Sequence, residues 1–340
     1  MKIMAVHSMK KILLALGILC MLFQTSCASG DTRSSMHSQV FFGYFDTYFV
    51  FWMFAPSRAE FDRYALLVEE ELGRLHRLFD IHNEYDGVNN LHTVNKNAHA
   101  GPTHVDECII LLFMYGNWAY HFTGGAVNIA LGSVLELWRP FLAGESPEPP
   151  CIGNLEEASK TTDINAVMFD TFRSIVFLGQ KGMSVDVGSI AKGFALMRIA
   201  GILGEDGSWL LDFGGDVFAR GFNYDAGRYW RVGVTNPTDR SEIIENIEVR
   251  NKSVASSGNY LRSVTLDGEL YHHIIDPSTL MPARGFAQTT AIHENPVMAE
   301  VLSTAMFILP FEKGLELVEQ IGAAGIWVFE DGEVKMYGLK

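Results

Sequence analysis

The chain has 340 residues, of which 48% are hydrophobic and 19% are charged, so it holds enough apolar material for a globular core. Its formal charge is −14, and this becomes −17 without the first 26 residues, which contain three lysines and no acidic residue. A surface this acidic repels nucleic acid and anionic lipid, so we expect no nucleic-acid partner. A phosphate-rich ligand would need a metal ion, a lysine or a helix N-terminus at its site to offset the negative charge of the protein there.

The N-terminal segment has the pattern of a bacterial export signal. In MKKILLALGILCMLFQTSC, a basic start precedes a short apolar run and small residues before Cys27. The run is too short for an ordinary membrane span, and the ending FQTSC resembles a lipobox. We predict a lipoprotein signal peptide at 1–26, a lipid on Cys27, a flexible tether at 27–40 and a folded domain at 41–340, in a protein exported and anchored to a bacterial membrane. A plain signal peptide with a chance cysteine is the alternative.

The first half of the folded part predicts strands and then helices. The aromatic and β-branched run at 41–54 predicts one or two strands. Apolar residues recur three and four positions apart over 60–79, which predicts an amphipathic helix. A second helix is expected to begin at Asp106, whose carboxylate suits a helix N-terminus. A glycine-rich stretch at 123–138 is expected to become helical, and a short polar helix is expected at 154–162.

The second half mixes strands and helices irregularly. Short strands are expected from residue 164 onward, the last of them at MSVDVG, and a helix is expected to begin near Ser189 or Ile190. More strands follow, then a helix capped by Asn295 and opened by a proline, and finally a hairpin that turns at Asp331-Gly332. This irregular interleaving favours an α+β fold over a regular doubly wound sheet.

The segment DVGSIAKGFALMRIAGIL, residues 186–203, has the features of an anion site. A helix start offers free N–H groups, Gly188 lets the main chain approach a ligand, and Lys192 adds a positive charge. The spacing is not that of a Walker A loop. By itself, the pattern is also typical of an ordinary strand–turn–helix corner.

Two more segments are candidates for ligand contact. The glycines at 214–215 allow either a tight turn or main chain packed flat against a ligand, with Asp216 on a sugar or ring edge. In YHHIIDP, His272 and His273 would face opposite sides of a strand, so only one of them can point into a site. His273 is the better candidate because it would share a face with Ile275.

The segment AEVLSTAMFIL places Glu300 and Thr304 one helical turn apart, on one face. A carboxylate and a hydroxyl at this spacing can both coordinate a hard cation such as Mg²⁺. The alternative is a partly exposed glutamate beside a threonine that bonds back to its own helix.

The order of these motifs carries more information than any one of them. DVGSIAKGFA, LLDFGGDVFARG, WRVGVTNP, VASSGNYLR, HHIIDP and AEVLSTAMFIL resemble, in sequence and in order, successive motifs of the FAD:protein FMN transferases, the ApbE-type flavin transferases. The segment GGAVNIALGSVLELW is similar to a further motif of that family. The resemblance implies one compact α+β domain of mixed sheets and helices, with an FAD cleft between two subdomains.

The resemblance also implies a reaction. Such an enzyme uses Mg²⁺ to cleave FAD, attaches FMN through a phosphoester to a threonine or serine of a separate exported or membrane flavoprotein, and releases AMP. It implies metal ligands at Ser189, Glu300 and Thr304, although the family usually has aspartate at position 300, and it implies His273 as proton acceptor. The implied FAD contacts are Phe45, His82, Ala126, Val127, Asn128, Asp186, Lys192, Gly214, Gly215, Asp216 and Ile275.

Two other functions use the same residues. A Mg²⁺-dependent FAD pyrophosphatase would need the same metal and phosphate contacts, with water replacing the threonine. A flavin-binding lipoprotein without catalysis would need no metal beside Thr304.

Overall fold

The computed structural model describes residues 34–260 and 262–339. The strands are β1 (Ser35–Tyr44), β2 (Thr47–Ala55), β3 (Thr103–His104), β4 (Val167–Asp170), β5 (Ile175–Leu178), β6 (Trp209–Phe213), β7 (Asp216–Arg220), β8 (Phe222–Asn223), β9 (Arg228–Thr235), β10 (Ile243–Val249), β11 (Lys252–Gly258), β12 (Ser263–Leu266), β13 (Glu269–His272), β14 (Phe286–His293), β15 (Ala324–Phe329) and β16 (Val334–Tyr337). The α-helices are α1 (Arg58–Phe79), α2 (Leu91–Lys96), α3 (Glu107–Phe122), α4 (Gly132–Leu142), α5 (Ile152–Ser159), α6 (Ala191–Leu203), α7 (Pro296–Ile308) and α8 (Phe311–Gln320), and short 3-10 helices cover Ile129–Leu131 and Ile164–Ala166.

A large antiparallel sheet organises these elements. Its eight strands lie in the order β1-β2-β6-β7-β11-β14-β15-β16, and every neighbouring pair is antiparallel. Smaller sheets contain β10-β9-β8, β12-β13 and β3-β5-β4. The described residues from Ser35 onward form one compact unit, which confirms the predicted single α+β domain. They do not separate into the two subdomains between which the cleft was expected.

Helix α1 covers one face of the sheet, as its periodicity predicts. Ser57 caps it by accepting a hydrogen bond from the Glu60 main chain, and its apolar stripe is buried. Phe61 at its start stacks on Phe51 of β2 with ring centroids 5.1 Å apart. The predicted beginning of α3 after Asp106 is also confirmed, because that carboxylate accepts a hydrogen bond from the Cys108 main chain.

Helices α6 and α7 approach each other closely at Gly193. A Cβ atom on Gly193 would lie 2.5 Å from the Pro296 carbonyl oxygen and 2.9 Å from the Val297 Cα atom, so no side chain fits there. Asn295 caps α7 as predicted, since its side chain accepts hydrogen bonds from the main chain of Val297 and Met298. This contact brings the carboxylate-bearing face of α7 against the first turn of α6.

The tether prediction is wrong from residue 35 onward. Ser35 pairs with Ala55 and Gln39 pairs with Phe51, so β1 begins within the range assigned to the tether. The polar residues of this segment are compatible with a strand because β1 is an edge of the large sheet. The signal peptide at 1–26 and the lipid site at Cys27 lie outside the described residues. No helix in the described ranges is long and apolar enough to cross a membrane.

The strand predicted at MSVDVG does not form, and α6 begins at Ala191, directly after Ile190. The main chain of this segment finds its hydrogen bonds elsewhere. The Asn95 side chain bonds both the N–H and the carbonyl of Val185, and the Asp186 N–H donates to the Ile129 carbonyl. The Asn95 side chain and the start of a 3-10 helix therefore supply the hydrogen bonds that a neighbouring strand would make.

Candidate active site

Three charged residues meet where α6, α7 and the β6–β7 turn come together. Lys192, the second residue of α6, forms an ion pair with Asp216, the first residue of β7. The Lys192 Nζ atom also lies 3.9 Å from Oε1 of Glu300 on α7. Asp216 and Glu300 are both buried. Burial alone would lower the pKa of Lys192, but the two carboxylates raise it, so the ammonium stays charged.

The two oxygens of Glu300 have different environments. Oε2 accepts a hydrogen bond of 2.7 Å from the Gly193 N–H, which is one of the free donors at the start of α6. Oε1 is buried and has no hydrogen-bond partner among the described residues. Burial raises the pKa of Glu300 to about 8, although the Lys192 charge acts in the opposite direction. The helix start predicted to hold an anion thus already bonds a carboxylate of the protein itself.

Thr304 lies one turn after Glu300 on α7, and its hydroxyl is 3.3 Å from the Ser257 hydroxyl. The Ser257 hydroxyl is in turn 3.0 Å from that of Ser303. Ser189 is partly exposed in the turn that leads into α6. In the described ranges, no three His, Cys, Asp or Glu side chains form a metal-binding group. The orphaned Glu300 oxygen and the nearby hydroxyls nevertheless suit a hard cation that prefers oxygen ligands and retains water.

The turn between β6 and β7 has two glycines with positive φ, 62° at Gly214 and 98° at Gly215. A Cβ atom on Gly214 would lie 2.6 Å from the Thr47 hydroxyl oxygen, so the turn packs directly on the start of β2. The Gly215 N–H donates a hydrogen bond to the Asp212 carboxylate. Burial raises the pKa of Asp212 to about 6, although this hydrogen bond acts in the opposite direction. The sequence reasoning missed Asp212; the signal was a second aspartate on the other side of the two glycines.

The two adjacent histidines have different environments. His272 ends β13 and is buried; its Nε2 atom donates to the Ala283 carbonyl at 2.8 Å and its Nδ1 atom accepts from the Ile274 N–H at 3.2 Å. His273 is exposed. The expected shared face of His273 and Ile275 is not found, because the strand ends at His272 and both isoleucines that follow are buried.

The ring of His273 is held neutral. Although part of the His273 side chain faces solvent, the protein atoms packed around the ring lower its pKa to about 4, and the charge of Arg262 acts in the same direction. The charge of Lys192 acts on His273 in the same direction, so His273 lies within electrostatic range of the three-residue cluster. A neutral imidazole has a nitrogen free to accept a proton. Arg262 is a second residue that the sequence reasoning did not assign.

Two of the predicted FAD contacts, Asp186 and Phe45, interact with other residues of the chain. Asp186 accepts a hydrogen bond from the Gly188 N–H and lies 3.3 Å from an Arg139 nitrogen. Phe45 packs edge-on against Phe213 at the end of β6, with ring centroids 5.2 Å apart, so it adjoins the β6–β7 turn.

The Asn128 side-chain oxygen caps a 3-10 helix by accepting a hydrogen bond from the Ala130 N–H, and its side-chain nitrogen donates to the Thr162 carbonyl. Both polar atoms of this carboxamide are therefore already hydrogen-bonded within the protein. Ala126, Val127 and Ile275 are buried in the interior. His82 is exposed, and no side-chain contact joins it to the charged cluster in the described part of the chain. The structure therefore brings together Lys192, Asp216, Glu300, Thr304 and the β6–β7 turn.

Comparison with known proteins identifies relatives of this chain. The family model described as the ApbE family matches residues 46–327, which is most of the chain. The chain belongs to the ApbE family. A FAD:protein FMN transferase of Treponema pallidum is 33% identical to this family member over 264 residues, which cover 72% of each chain. A FAD:protein FMN transferase of Haemophilus influenzae is 31% identical over 206 residues, 58% of this chain and 59% of that protein.

Solved ApbE structures share the fold. The ApbE protein of Thermotoga maritima superposes with a TM-score of 0.80 at 29% identity and covers 89% of this chain and 97% of its own. The flavinyl transferase ApbE of Pseudomonas stutzeri gives a TM-score of 0.74 at 22% identity, with coverage of 89% and 95%. The family and the fold class predicted from the order of the motifs are thus confirmed.

Proposed function

We propose that this ApbE-family protein is a Mg²⁺-dependent FAD:protein FMN transferase. The observation that carries the proposal is the meeting of Lys192, Asp216 and Glu300 at the start of α6, with one buried carboxylate oxygen left without a partner. Curated relatives of this chain bear the name of that activity. The cluster combines a fixed positive charge with oxygen donors, which cleavage of a pyrophosphate requires.

The oxygens of Glu300, Thr304 and Ser189 are the ones we assign to the metal. Bound there, Mg²⁺ would neutralise negative charge on the pyrophosphate. Lys192 supplies a second positive charge, and its ion pair with Asp216 orients the ammonium. Gly214 and Gly215 keep side chains out of the turn beside this cluster, so a ligand can lie against the main chain.

The transfer step needs a proton acceptor, because a threonine hydroxyl is a weak nucleophile. We assign this role to His273. The acceptor hydroxyl oxygen attacks the FMN phosphorus, its proton goes to His273, and the bond between the FMN phosphate and AMP breaks. Phosphate groups beside Lys192 would screen the positive charges that lower the pKa of His273, and so would make it a stronger base.

We further propose that the protein is exported and lipid-anchored through Cys27 to a bacterial membrane. The sequence pattern before Cys27 supports this location. The acceptor would then be a separate exported or membrane flavoprotein with a target threonine or serine.

The test uses the chain beginning at Ala28, incubated with FAD and a flavoprotein fragment that a characterised FAD:protein FMN transferase modifies. The intact mass of the fragment is measured with and without Mg²⁺. We expect a gain equal to FMN less water, only when Mg²⁺ is present, together with AMP. Free FMN and AMP without a mass gain would indicate a pyrophosphatase instead, and unchanged FAD would indicate a flavin-binding protein.

A further inference from the structure

A cavity of about 600 Å³ lies beside the β12–β13 hairpin and contains none of the residues that we assign to FAD or to the metal. Its volume is within the range of about 300–1,000 Å³ that is usual for ligand sites. The lining side chains come from a loop after β9, from the end of β11, and from β13 and β14. Those that matter here are Pro237, Thr238, Asn259, Leu270, Arg284 and Ala287.

Two chain segments lead from this cavity into the candidate active site. Asn259 follows Ser257, which contacts Thr304, by two residues. Leu270 precedes His273 by three residues. At about 3.3 Å per residue in an extended chain, the cavity wall is roughly 7 Å from Ser257 and roughly 10 Å from His273 along the chain. A segment of a few residues lying in the cavity can therefore present a side chain to His273.

Asn259 gives the cavity a specific polar group. The residue is 8% exposed, and its carboxamide makes no hydrogen bond to any residue in the described ranges. Neither carboxamide atom is among the fully enclosed polar atoms that lack a partner, so the group can be reached from the cavity and is available for a ligand. A carboxamide has a donor and an acceptor in one plane, which matches the N–H and carbonyl of a peptide group. The group therefore suits a polypeptide main chain.

The charges around the cavity disfavour an anion. Arg284 forms an ion pair of 2.5 Å with Glu269, and the cavity lining carries more acidic than basic side chains. Asp267 and Glu330 also line the cavity and are exposed. A second nucleotide would meet two unpaired carboxylates here, whereas an uncharged stretch of polypeptide would not.

We propose that this cavity binds the segment of the acceptor flavoprotein that carries the target hydroxyl, and holds it in an extended form beside His273. The proposal rests on the proposed function, since it supplies the docking site for the protein substrate of that reaction. It assigns Asn259 as the group that pairs with the main chain of the segment.

The test measures FMN transfer at varied concentrations of the same acceptor fragment. Thr238→Trp fills the cavity with a bulky side chain, and Asn259→Ala removes the carboxamide. Thr171→Trp, at an exposed threonine after β4, and Asn154→Ala, at an exposed asparagine on α5 that makes no side-chain hydrogen bond in the described ranges, are the matched controls. We expect the KM for the acceptor to rise at least tenfold in both cavity variants, with the KM for FAD within twofold of wild type and with no change in the controls.

An unchanged acceptor KM in both cavity variants would overturn the docking proposal. So would an equal rise in the KM for FAD, because the cavity would then be part of the nucleotide site. Thr238 is exposed, so its variant tests the proposal even where Asn259→Ala fails to fold. Wild-type protein that transfers no FMN refutes the proposed function and the docking site together, whereas normal transfer by all variants refutes the docking site alone.

Discussion

The Glu300 carboxylate accepts a hydrogen bond of 2.7 Å from the Gly193 N–H, although the two residues are 107 positions apart in the chain. The bond crosses a close contact between α6 and α7, where the missing side chain of Gly193 lets the helices meet. It satisfies a donor that a helix start leaves free, and it fixes one oxygen of Glu300 so that the other faces Lys192. Stability and ligand geometry therefore depend on the same glycine.

Gly193→Ala is expected to destabilise the protein by about 1–3 kcal/mol, because the added methyl group would overlap the Pro296 carbonyl. Gly201→Ala is the matched control on the same helix, since nothing lies within 4 Å of its Cβ position. That control is expected to gain about 0.5–1 kcal/mol, the usual advantage of alanine inside a helix. Urea unfolding of both variants measures the difference, and equal stability of the two would contradict the packing argument.

Glu300→Gln is expected to lower Mg²⁺-dependent FMN transfer by more than about 100-fold. Mutation of a residue that only hydrogen-bonds a metal ligand typically costs about 10–100-fold, and Glu300 is assigned as a ligand itself. The thermal midpoint should stay close to that of the wild type, because burial already favours the uncharged form of this side chain. Glu316→Gln, an exposed glutamate on α8 paired with Lys313, serves as the control. Transfer at the wild-type rate by Glu300→Gln would refute the metal assignment.

The sequence predicted the local features of the site well. Helix caps at Asp106 and Asn295 depend on residues within one turn, and both formed as expected. The order of the motifs was enough to identify the family, because the order can be read along the chain without knowing which residues are in contact. The assignments of Ser189, Glu300 and Thr304 to the metal and of Lys192 to FAD came from the family resemblance, and they stay predictions.

Contacts between distant segments could not be read from the sequence. Lys192 was expected to face phosphate, but the fold places Asp216 against it, and this pairing depends on how β7 meets α6. MSVDVG has the alternation of a strand, yet the Asn95 side chain takes the hydrogen bonds that a neighbouring strand would make. Asp212 resembled an ordinary strand residue until the Gly215 N–H was found to bond it.

His273→Ala is expected to lower kcat for FMN transfer by about 10²–10⁴, the usual contribution of a general base. The Kd for FAD should change by less than twofold, because the assigned role concerns the incoming hydroxyl and not the nucleotide. His121→Ala, at an exposed histidine near the end of α3, is the control. Titration of FAD by fluorescence separates the two quantities, and a parallel loss of binding and turnover would make His273 a binding residue instead.

His272 is expected to make the stability of the protein depend on pH. Burial lowers its pKa to about 4 in the folded protein, against 6.5 in the unfolded chain. Between these two values the unfolded chain takes up a proton that the folded protein does not, so the free energy of unfolding falls as the pH falls from about 6.5 to about 4. A difference of this size corresponds to about 3 kcal/mol over the whole window.

His272→Gln removes this titration and retains a side-chain N–H that can reach the Ala283 carbonyl. Its free energy of unfolding, measured in urea from pH 7 to pH 4, should decline less steeply than that of the wild type. The difference between the two slopes reports the titration of His272 together with a smaller change in the pKa of His273, on which the charge of His272 acts. Parallel slopes would mean that the imidazole of His272 is protonated in the folded state as readily as in the unfolded chain, which its two main-chain hydrogen bonds and its burial argue against.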